Sequence, residues 1–124
     1  MAKYPLVREQ LRAGGLLDAT VELVPEEAAY DDLARVHTAG YLARLFGEGL
    51  TAAEVRALGV PWTPQLLRRS RLAVQGTLLA ARAALEEGLA GNLAGGTHHT
   101  FADHGEGFCV LNDVAVAIRC LQAE

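Results

Sequence analysis

The most regular pattern of apolar positions runs from residue 63 to about residue 89, where leucine, alanine and valine recur at three- and four-residue spacing. This spacing places the apolar side chains on one face of a helix. Thr63 followed by Pro64 is a favoured helix start, because threonine caps the first turn and proline needs no amide partner there. The pattern therefore predicts one long helix. Gly76 lies inside it, either to let a neighbour pack closely or as a tolerated cost of about 1 kcal/mol.

Shorter segments on both sides of the long helix are also predicted as helical. The first is residues 4–13, and the second is a short helix that Asp31 or Asp32 caps. A third begins at about residue 38, with an apolar face of Tyr41, Leu42, Leu45 and Phe46, and a fourth runs from the capping box of Thr51 and Glu54 to Gly59. The last is residues 112–122, with Val114, Ala115, Ile118 and Leu121 facing inward. Weak alternation at residues 16–24 and a short segment at 92–94 predict extended structure. Helices alternating with strands favour an α/β fold with a parallel sheet.

Composition and charge disfavour several classes of protein. The chain has 124 residues and a net charge of −4, which argues against nonspecific nucleic-acid binding. Its apolar run at residues 72–81 is far shorter than the roughly 20 residues of a membrane span. The sequence opens without a secretory signal and has two cysteines, Cys109 and Cys120, which favours a reducing, cytoplasmic compartment. We therefore expect neither membrane nor nucleic acid among its partners.

Residues 95–109 are the one segment whose residue types exceed what folding requires. They combine four glycines with three histidines. The adjacent pair His98 and His99 follows a glycine turn and can face one cavity, where imidazoles are suited to moving protons because each can donate or accept near pH 7. A metal site built from His98, His99, Asp103 and His104 is the rival interpretation, since imidazole and carboxylate both bind zinc.

Each of these residues also has a purely structural interpretation. Loop histidines are more often solvated or hydrogen-bonded than catalytic, and an exposed loop is the default for His104. Cys109 and Cys120 are expected to be small buried hydrophobes. His37 follows a helix end, where it can hydrogen-bond a carbonyl, and is interpreted as structural. Trp62, flanked by prolines, is expected to be a packing anchor, with a place at a substrate rim as the alternative.

Three short motifs in this region carry a resemblance to a known family. They are Gly-Gly-Thr-His-His at 95–99, Gly-Glu-Gly-Phe-Cys at 105–109 and Asn-Asp-Val-Ala-Val-Ala at 112–117. Together they resemble the histidine-pair signature of the zinc-dependent histone deacetylase superfamily, nearest to the bacterial deacetylases grouped with acetoin-utilisation proteins and acetylpolyamine amidohydrolases. Residues 33–42 resemble the family's helix pair, and residues 61–66, 69–71 and 76–81 resemble its long helix, so the resemblance covers nearly the whole chain.

The resemblance implies a fold, a reaction and roles for four residues. The fold would be the arginase/deacetylase-like three-layer α/β fold with a mainly parallel sheet, of which this chain supplies the helix-rich N-terminal part. The reaction would be hydrolysis of an acetylated amine, either a protein lysine or a small molecule such as an acetylpolyamine, at a zinc ion that polarises the carbonyl and acidifies a water. His99 would be general base and then acid, His98 would support the water, and Gly107 and Phe108 would line the substrate tunnel.

The chain also departs from the family pattern. The zinc ligands, the catalytic tyrosine and the aspartates that pair with the two histidines are expected beyond Glu124, and a first strand is expected before Lys3. Residues 1–124 are therefore interpreted as the N-terminal portion of a single deacetylase domain, with no metal ligand in this chain and no activity alone. The alternative is a catalytically inactive module that forms homo-oligomers through apolar faces left uncovered.

Overall fold

The computed structural model describes residues 2–124, and this part of the chain folds into six helices. They are α1 (Lys3–Ala13), α2 (Tyr30–Leu33), α3 (Ala39–Phe46), α4 (Ala52–Leu58), α5 (Pro64–Glu87) and α6 (Asp113–Leu121). Residues 2–124 contain no strand, only an isolated bridge between Glu106 and Cys109. No helix in the same residues is long and apolar enough to cross a bilayer.

The two segments predicted as extended form turns instead, and their own polar side chains supply the reason. Asp18 accepts hydrogen bonds from the backbone N–H and the hydroxyl of Thr20, at 2.8 and 2.5 Å. Asn92 accepts one from the backbone N–H of Ala94 at 3.1 Å. Such local bonds offer the backbone an alternative to a sheet ladder. The predicted strands at 16–24 and 92–94 are therefore wrong, and the predicted sheet is not found within residues 2–124.

Local capping signals set most of the helix ends as predicted. Thr38 caps α3, the Thr51–Glu54 box caps α4, and Thr63 followed by Pro64 starts α5. Gly59, at φ 79°, ends α4 in the left-handed conformation that glycine tolerates. The cap predicted for α2 is wrong. Asp31 and Asp32 lie in its first turn, and the N-cap position is held by an alanine whose side chain has no acceptor to offer.

The core is built where α6 packs against the middle of α5. Val74 and Leu78 are the buried residues of α5. Gly76 permits a close approach, because a β-carbon there would lie 2.8 Å from the amide nitrogen of the Asn92 side chain. That amide donates to the carbonyl of Ala73 at 2.9 Å and so ties the segment after α5 back onto the helix. Of the two interpretations of Gly76, close packing is the one that the structure supports.

Helix α6 turns a different face to the core from the one predicted. Val114 and Ile118 are 42% and 50% exposed, and Ala115 and Leu121 are only half-buried. The hydrophobic pattern fits two rotations of this helix almost equally well. A buried carboxylate at its first position selects the rotation. The buried face consists of Asp113, Val116, Ala117 and Cys120.

Helix α3 supplies the other buried side chains that hold the loops. Tyr41, Leu42 and Leu45 are buried as predicted, whereas Phe46 is 40% exposed, with its ring edge-on to Tyr30. The hydroxyl of Tyr41 donates a hydrogen bond of 2.7 Å to the carbonyl of Val110, just before α6. Burial raises the pKa of Tyr41 well above its usual value. The phenol therefore stays neutral and acts as a fixed donor to the segment that leads into α6.

Candidate functional site

The loop that carries the histidine pair begins on the buried carboxylate of Asp113. One carboxylate oxygen, Oδ1, accepts from the N–H and the hydroxyl of Thr97, both at 2.8 Å. The other, Oδ2, accepts from the N–H of Gly96 at 2.8 Å and from the hydroxyl of Thr77 at 2.5 Å. The side chain is fully buried. Burial alone would raise the pKa of Asp113, but the hydrogen bonds from Thr77, Gly96 and Thr97 outweigh it and lower the pKa below the ordinary carboxyl value.

The two glycines before the histidines are each required by this geometry. A β-carbon on Gly95 would lie 2.6 Å from the hydroxyl oxygen of Thr77 and 2.8 Å from Oδ2 of Asp113. Gly96 has a φ of 93°, which side chains rarely adopt. Both the close approach and the turn therefore need glycine. The sequence Gly95-Gly96 brings the backbone into contact with Asp113 and directs the chain towards His98.

The predicted catalytic residues, His98 and His99, lie side by side at the surface. Their ring centroids are 4.1 Å apart, with 40° between the ring planes, and both side chains are exposed. Nδ1 of His98 is 2.8 Å from the carbonyl oxygen of Gly96. Because a carbonyl only accepts, Nδ1 carries the proton in this contact, and Nε2 of the neutral ring keeps its lone pair. His98 can therefore accept a proton at Nε2 from a group outside the chain.

The predicted substrate-binding residues, Gly107 and Phe108, lie next to the histidine pair. A β-carbon on Gly107 would lie 3.2 Å from Cβ and Cγ of His99. The N–H of Phe108 donates to the carbonyl of Leu58 at 2.8 Å, at the end of α4. The Phe108 ring is 70% exposed and passes close to Gly59, where a β-carbon would be 3.0 Å from Cε1. The structure therefore places Gly107 against His99, and the exposed ring of the next residue, Phe108, against Gly59.

Phe108 has a backbone conformation that its side chain disfavours. Its φ is 67°, and it is the one non-glycine residue with positive φ within residues 2–124. A bulky residue in this region costs on the order of 1–3 kcal/mol and persists only where the surroundings fix it. Here the backbone bond to Leu58 and the contact with Gly59 fix it. Such strain is found disproportionately at functional sites.

The far part of the loop is held by His37. Its Nδ1 is 3.3 Å from the carbonyl oxygen of Ala102, and its Nε2 accepts the N–H of Asn112 at 3.2 Å. Both contacts are satisfied only by a neutral ring with the proton on Nδ1. Burial lowers the pKa of His37, against a smaller raising effect of the hydrogen bonds to Ala102 and Phe101. The structural interpretation of His37 is confirmed.

The rival interpretation, a local metal site, has no support in the geometry. His104 stacks on Phe101, with ring centroids 4.5 Å apart, and its Nδ1 lies 2.7 Å from a carboxylate oxygen of Asp103. His98 makes its contact with Gly96 instead. Within residues 2–124 no three His, Cys, Asp or Glu side chains are placed to hold one metal ion. The donor set of this part of the chain therefore does not fit a zinc ion.

The remaining predictions concern packing. Cys109 and Cys120 are buried free thiols, as expected. Trp62 is half-buried and packs against the core, with its indole nitrogen 3.2 Å from the position of a β-carbon on Gly49. This contact supports its interpretation as a packing anchor. Sequence reasoning missed Asp113 and its partner Thr77. The available signal was an acidic residue at the first position of a helix directly after the Gly-Gly-Thr turn and the Gly-Phe-Cys segment.

Comparison with known families identifies the class of protein to which this fold and loop belong. The profile of the family described as "Histone deacetylase domain" matches residues 1–124, and the chain belongs to that family. Among solved structures, the crystal structure of an HDAC homolog from Aquifex aeolicus superposes with a TM-score of 0.77 at 27% identity. That likeness covers 91% of this chain and 33% of the Aquifex chain. The same values hold for an HDAC homolog complexed with SAHA.

Curated relatives include proteins of bacteria and of a plant. An uncharacterized protein of Picosynechococcus is 39% identical over 122 residues, which are 98% of this chain and 41% of that protein. Histone deacetylase 2 of Arabidopsis thaliana is 33% identical, over 95% of this chain and 32% of its own length. The acetoin utilization protein AcuC of Bacillus subtilis is 38% identical, over 81% of this chain and 28% of its own length. The chain thus spans about a third to two-fifths of the length of the first two.

Proposed function

We propose that this chain forms the proton-transfer side of a deacetylase site that hydrolyses an acetylated amine to the free amine and acetate. The observation that carries the proposal is the His98–His99 pair, with ring centroids 4.1 Å apart, against Gly107 and one residue from the exposed Phe108. A flat aromatic surface suits the methylene stem of an acetyl-lysine or an acetylpolyamine. An HDAC homolog to which this chain is similar in structure has been crystallised in complex with SAHA, which supports a ligand-binding function for the fold.

In the proposed reaction the histidines move a proton between water and the amine. His99 accepts a proton from the attacking water as its oxygen bonds to the acetyl carbon. It then delivers that proton to the amine nitrogen when the carbon–nitrogen bond breaks. The Nε2 lone pair of His98 is free to accept a hydrogen bond from the same water. This bond stabilises the positive charge that develops on the water oxygen as it attacks. Acid–base help of this kind is typically worth about 10²–10⁴ in rate.

The zinc ion that the resemblance implies has no fitting donor set within residues 2–124, and we derive no step through it. We propose that its ligands and the catalytic tyrosine belong to the part of the family's length that this chain does not span, and that residues 1–124 are the N-terminal portion of one such domain. The three-layer fold with a mainly parallel sheet is part of the same proposal. So is a cytoplasmic location, with which the free thiols of Cys109 and Cys120 are compatible.

The site proposal is tested by titrating the labelled chain with Nε-acetyl-lysine and following the NMR signals of its side chains. We expect the signals of His98, His99 and Phe108 to move together, and unacetylated lysine to move them less. Phe108→Ala should abolish the shifts. Phe101→Ala is the matched control, because it removes an exposed ring that stacks on His104 instead. Shifts spread over the surface, or equal for both ligands, contradict the proposal.

Activity gives the second test. The chain alone, supplied with stoichiometric zinc and an acetyl-lysine peptide, is expected to release no acetate, since residues 2–124 offer no set of metal ligands. Turnover that Phe108→Ala or a histidine substitution abolishes would show that residues 1–124 suffice, and the partial-site proposal would be wrong.

A second candidate function is a catalytically inactive module that forms homo-oligomers. The observation in its favour is the apolar surface on α5, on α6 and after α5. Its exposed members include Leu85, Leu89, Val114 and Ile118. Sedimentation of the chain at several concentrations tests it, with Val114→Ser and Ile118→Ser together as the variant. A monomer at all concentrations contradicts this function, and an oligomer that the two substitutions dissociate supports it.

A further inference from the structure

One peptide unit joins the buried carboxylate to the first histidine of the pair. It is the peptide between Gly96 and Thr97. Its N–H donates to Oδ1 of Asp113 at 2.8 Å, and its C=O accepts from Nδ1 of His98 at 2.8 Å. Hydrogen bonds in a chain polarise one another, so a full negative charge at one end strengthens the carbonyl as an acceptor at the other.

The carboxylate is fixed from several directions and leaves the peptide little freedom. Its two oxygens accept from three groups besides the Thr97 N–H: the hydroxyls of Thr77 and Thr97 and the N–H of Gly96. The residue is fully buried, and it also starts α6, which packs on α5. The loop start therefore cannot rotate without breaking charge-assisted hydrogen bonds, which are about twice as strong as neutral ones.

This arrangement sets the tautomer of His98. A free neutral imidazole side chain favours the proton on Nε2. The carbonyl of Gly96 only accepts, so it selects the proton on Nδ1 and leaves the Nε2 lone pair exposed to solvent. The ring of His99 lies against the same ring at a tilt of 40°, so the orientation of His98 also limits that of its neighbour.

We propose that Asp113 is a positioning residue for His98 and acts through the Gly96–Thr97 peptide to hold the imidazole as the Nδ1–H tautomer. Thr77 shares in this role by holding Oδ2. Asp113 is distinct from the carboxylate partners that the family resemblance implies for the two histidines, and it acts on His98 through a peptide unit rather than by direct contact. The tautomer of His98 does not depend on the proposed function. Only the role of that tautomer in proton transfer rests on the proposed function.

The test is the tautomer of His98, read from two-bond ¹H–¹⁵N spectra of the labelled chain above pH 8. In the unsubstituted chain we expect the Nδ1–H form to predominate. In Asp113→Asn we expect the Nε2–H form to predominate. The NH₂ group of asparagine replaces one of the oxygens that accept from the loop start, so the Gly96–Thr97 peptide is no longer held and no longer selects the Nδ1–H form of His98. Asp103→Asn is the matched control, since it changes the partner of His104 and should leave His98 unaltered.

Two results would overturn the inference: an Nε2–H His98 in the unsubstituted chain, or an unchanged Nδ1–H form in folded Asp113→Asn. If that variant does not fold, the amide of Thr97 in the unsubstituted chain decides. The chemical shift of this amide proton should change as Asp113 is protonated in acid. A chemical shift that does not change there contradicts the proposed coupling between Asp113 and the Gly96–Thr97 peptide. None of these readouts uses substrate. Loss of acetyl-lysine binding with the tautomer intact would therefore count against the proposed function alone.

Discussion

The loop between residues 95 and 112 is held at its two ends by groups of opposite character. At its start, Asp113 binds the backbone of Gly96 and Thr97 as a buried charge. Near its end, His37 binds Ala102 and Asn112 as a neutral ring. A charge concentrates several strong hydrogen bonds on one residue, while the neutral imidazole makes one bond on each side. The histidine pair lies close to the charged end, where geometry is fixed most firmly.

The largest effect is expected from Asp113→Ala. The substitution leaves the N–H groups of Gly96 and Thr97 and the hydroxyl of Thr77 without their acceptor. Each buried or half-buried donor left unsatisfied costs on the order of 1 kcal/mol or more, so we expect a loss of about 3 kcal/mol in the free energy of unfolding. Urea denaturation measures it. Asp31→Ala, at an exposed carboxylate in α2, should change little. A loss below 1 kcal/mol would show that the charge is not the dominant anchor.

Gly95→Ala should destabilise the same end by a different route. The new methyl group would lie 2.6 Å from the hydroxyl oxygen of Thr77, and overpacking of this kind costs about 2 kcal/mol. In Thr77→Ala the substitution should cost less, because one of the two clashing atoms is gone. Gly91→Ala is the control, since a β-carbon there meets nothing within 4 Å. Equal destabilisation in both backgrounds would exclude Thr77 as the obstacle.

Tyr41→Phe probes the neutral side of the loop. It removes only the hydroxyl that donates to the carbonyl of Val110. A single neutral hydrogen bond contributes about 1 kcal/mol, and that loss is expected in the same denaturation experiment. The substitution should leave the NMR signals of His98 and His99 in place, because their loop start is held by Asp113. Movement of those signals would mean that the two ends are not independent.

The smallest effect is a pH dependence that separates the two anchors. His37 has a lowered pKa in the fold, so its contribution is complete above the unfolded value of 6.5 and is lost as the pH falls through the lower folded value. Asp113 also has a lowered pKa, but its contribution is lost only below the unfolded carboxyl value of 3.8. Urea midpoints should therefore fall in two steps. His37→Gln should remove the first step alone, and a first step that survives it belongs to another group.

Local signals in the sequence were enough to place the helices. Threonine caps at the starts of α3, α4 and α5 and the glycine that ends α4 act within one turn, so neighbouring residues report them. The extended segments failed because Asp18 and Asn92 bond to their own backbone neighbours. The prediction of which face of α6 is buried was wrong because a polar residue, Asp113, selects the rotation of a helix that is apolar on two sides.

The candidate site divides in the same way. His98, His99, Gly107 and Phe108 were predicted through their types and a family resemblance, and the structure places His98 and Gly107 against His99. The role of Asp113 was not predicted because its partners are distant in the sequence. Thr97 and Gly96 lie 16 and 17 positions earlier, and Thr77 on α5 lies 36 positions earlier. A contact between such distant positions leaves no periodic pattern. It becomes visible only when the packing of α6 on α5 is known.

The strained backbone of Phe108 implies a conflict between the stability of the fold and the role proposed for this residue in the site. Glycine at this position would relax the φ of 67° at once. A chain selected for stability alone would therefore carry glycine there, and would lose the exposed aromatic ring that follows Gly107. Under the proposed function, the phenylalanine is retained for contact with substrate at a cost in stability. Attempts to make this protein more heat-resistant by consensus-style loop relaxation should spare this position.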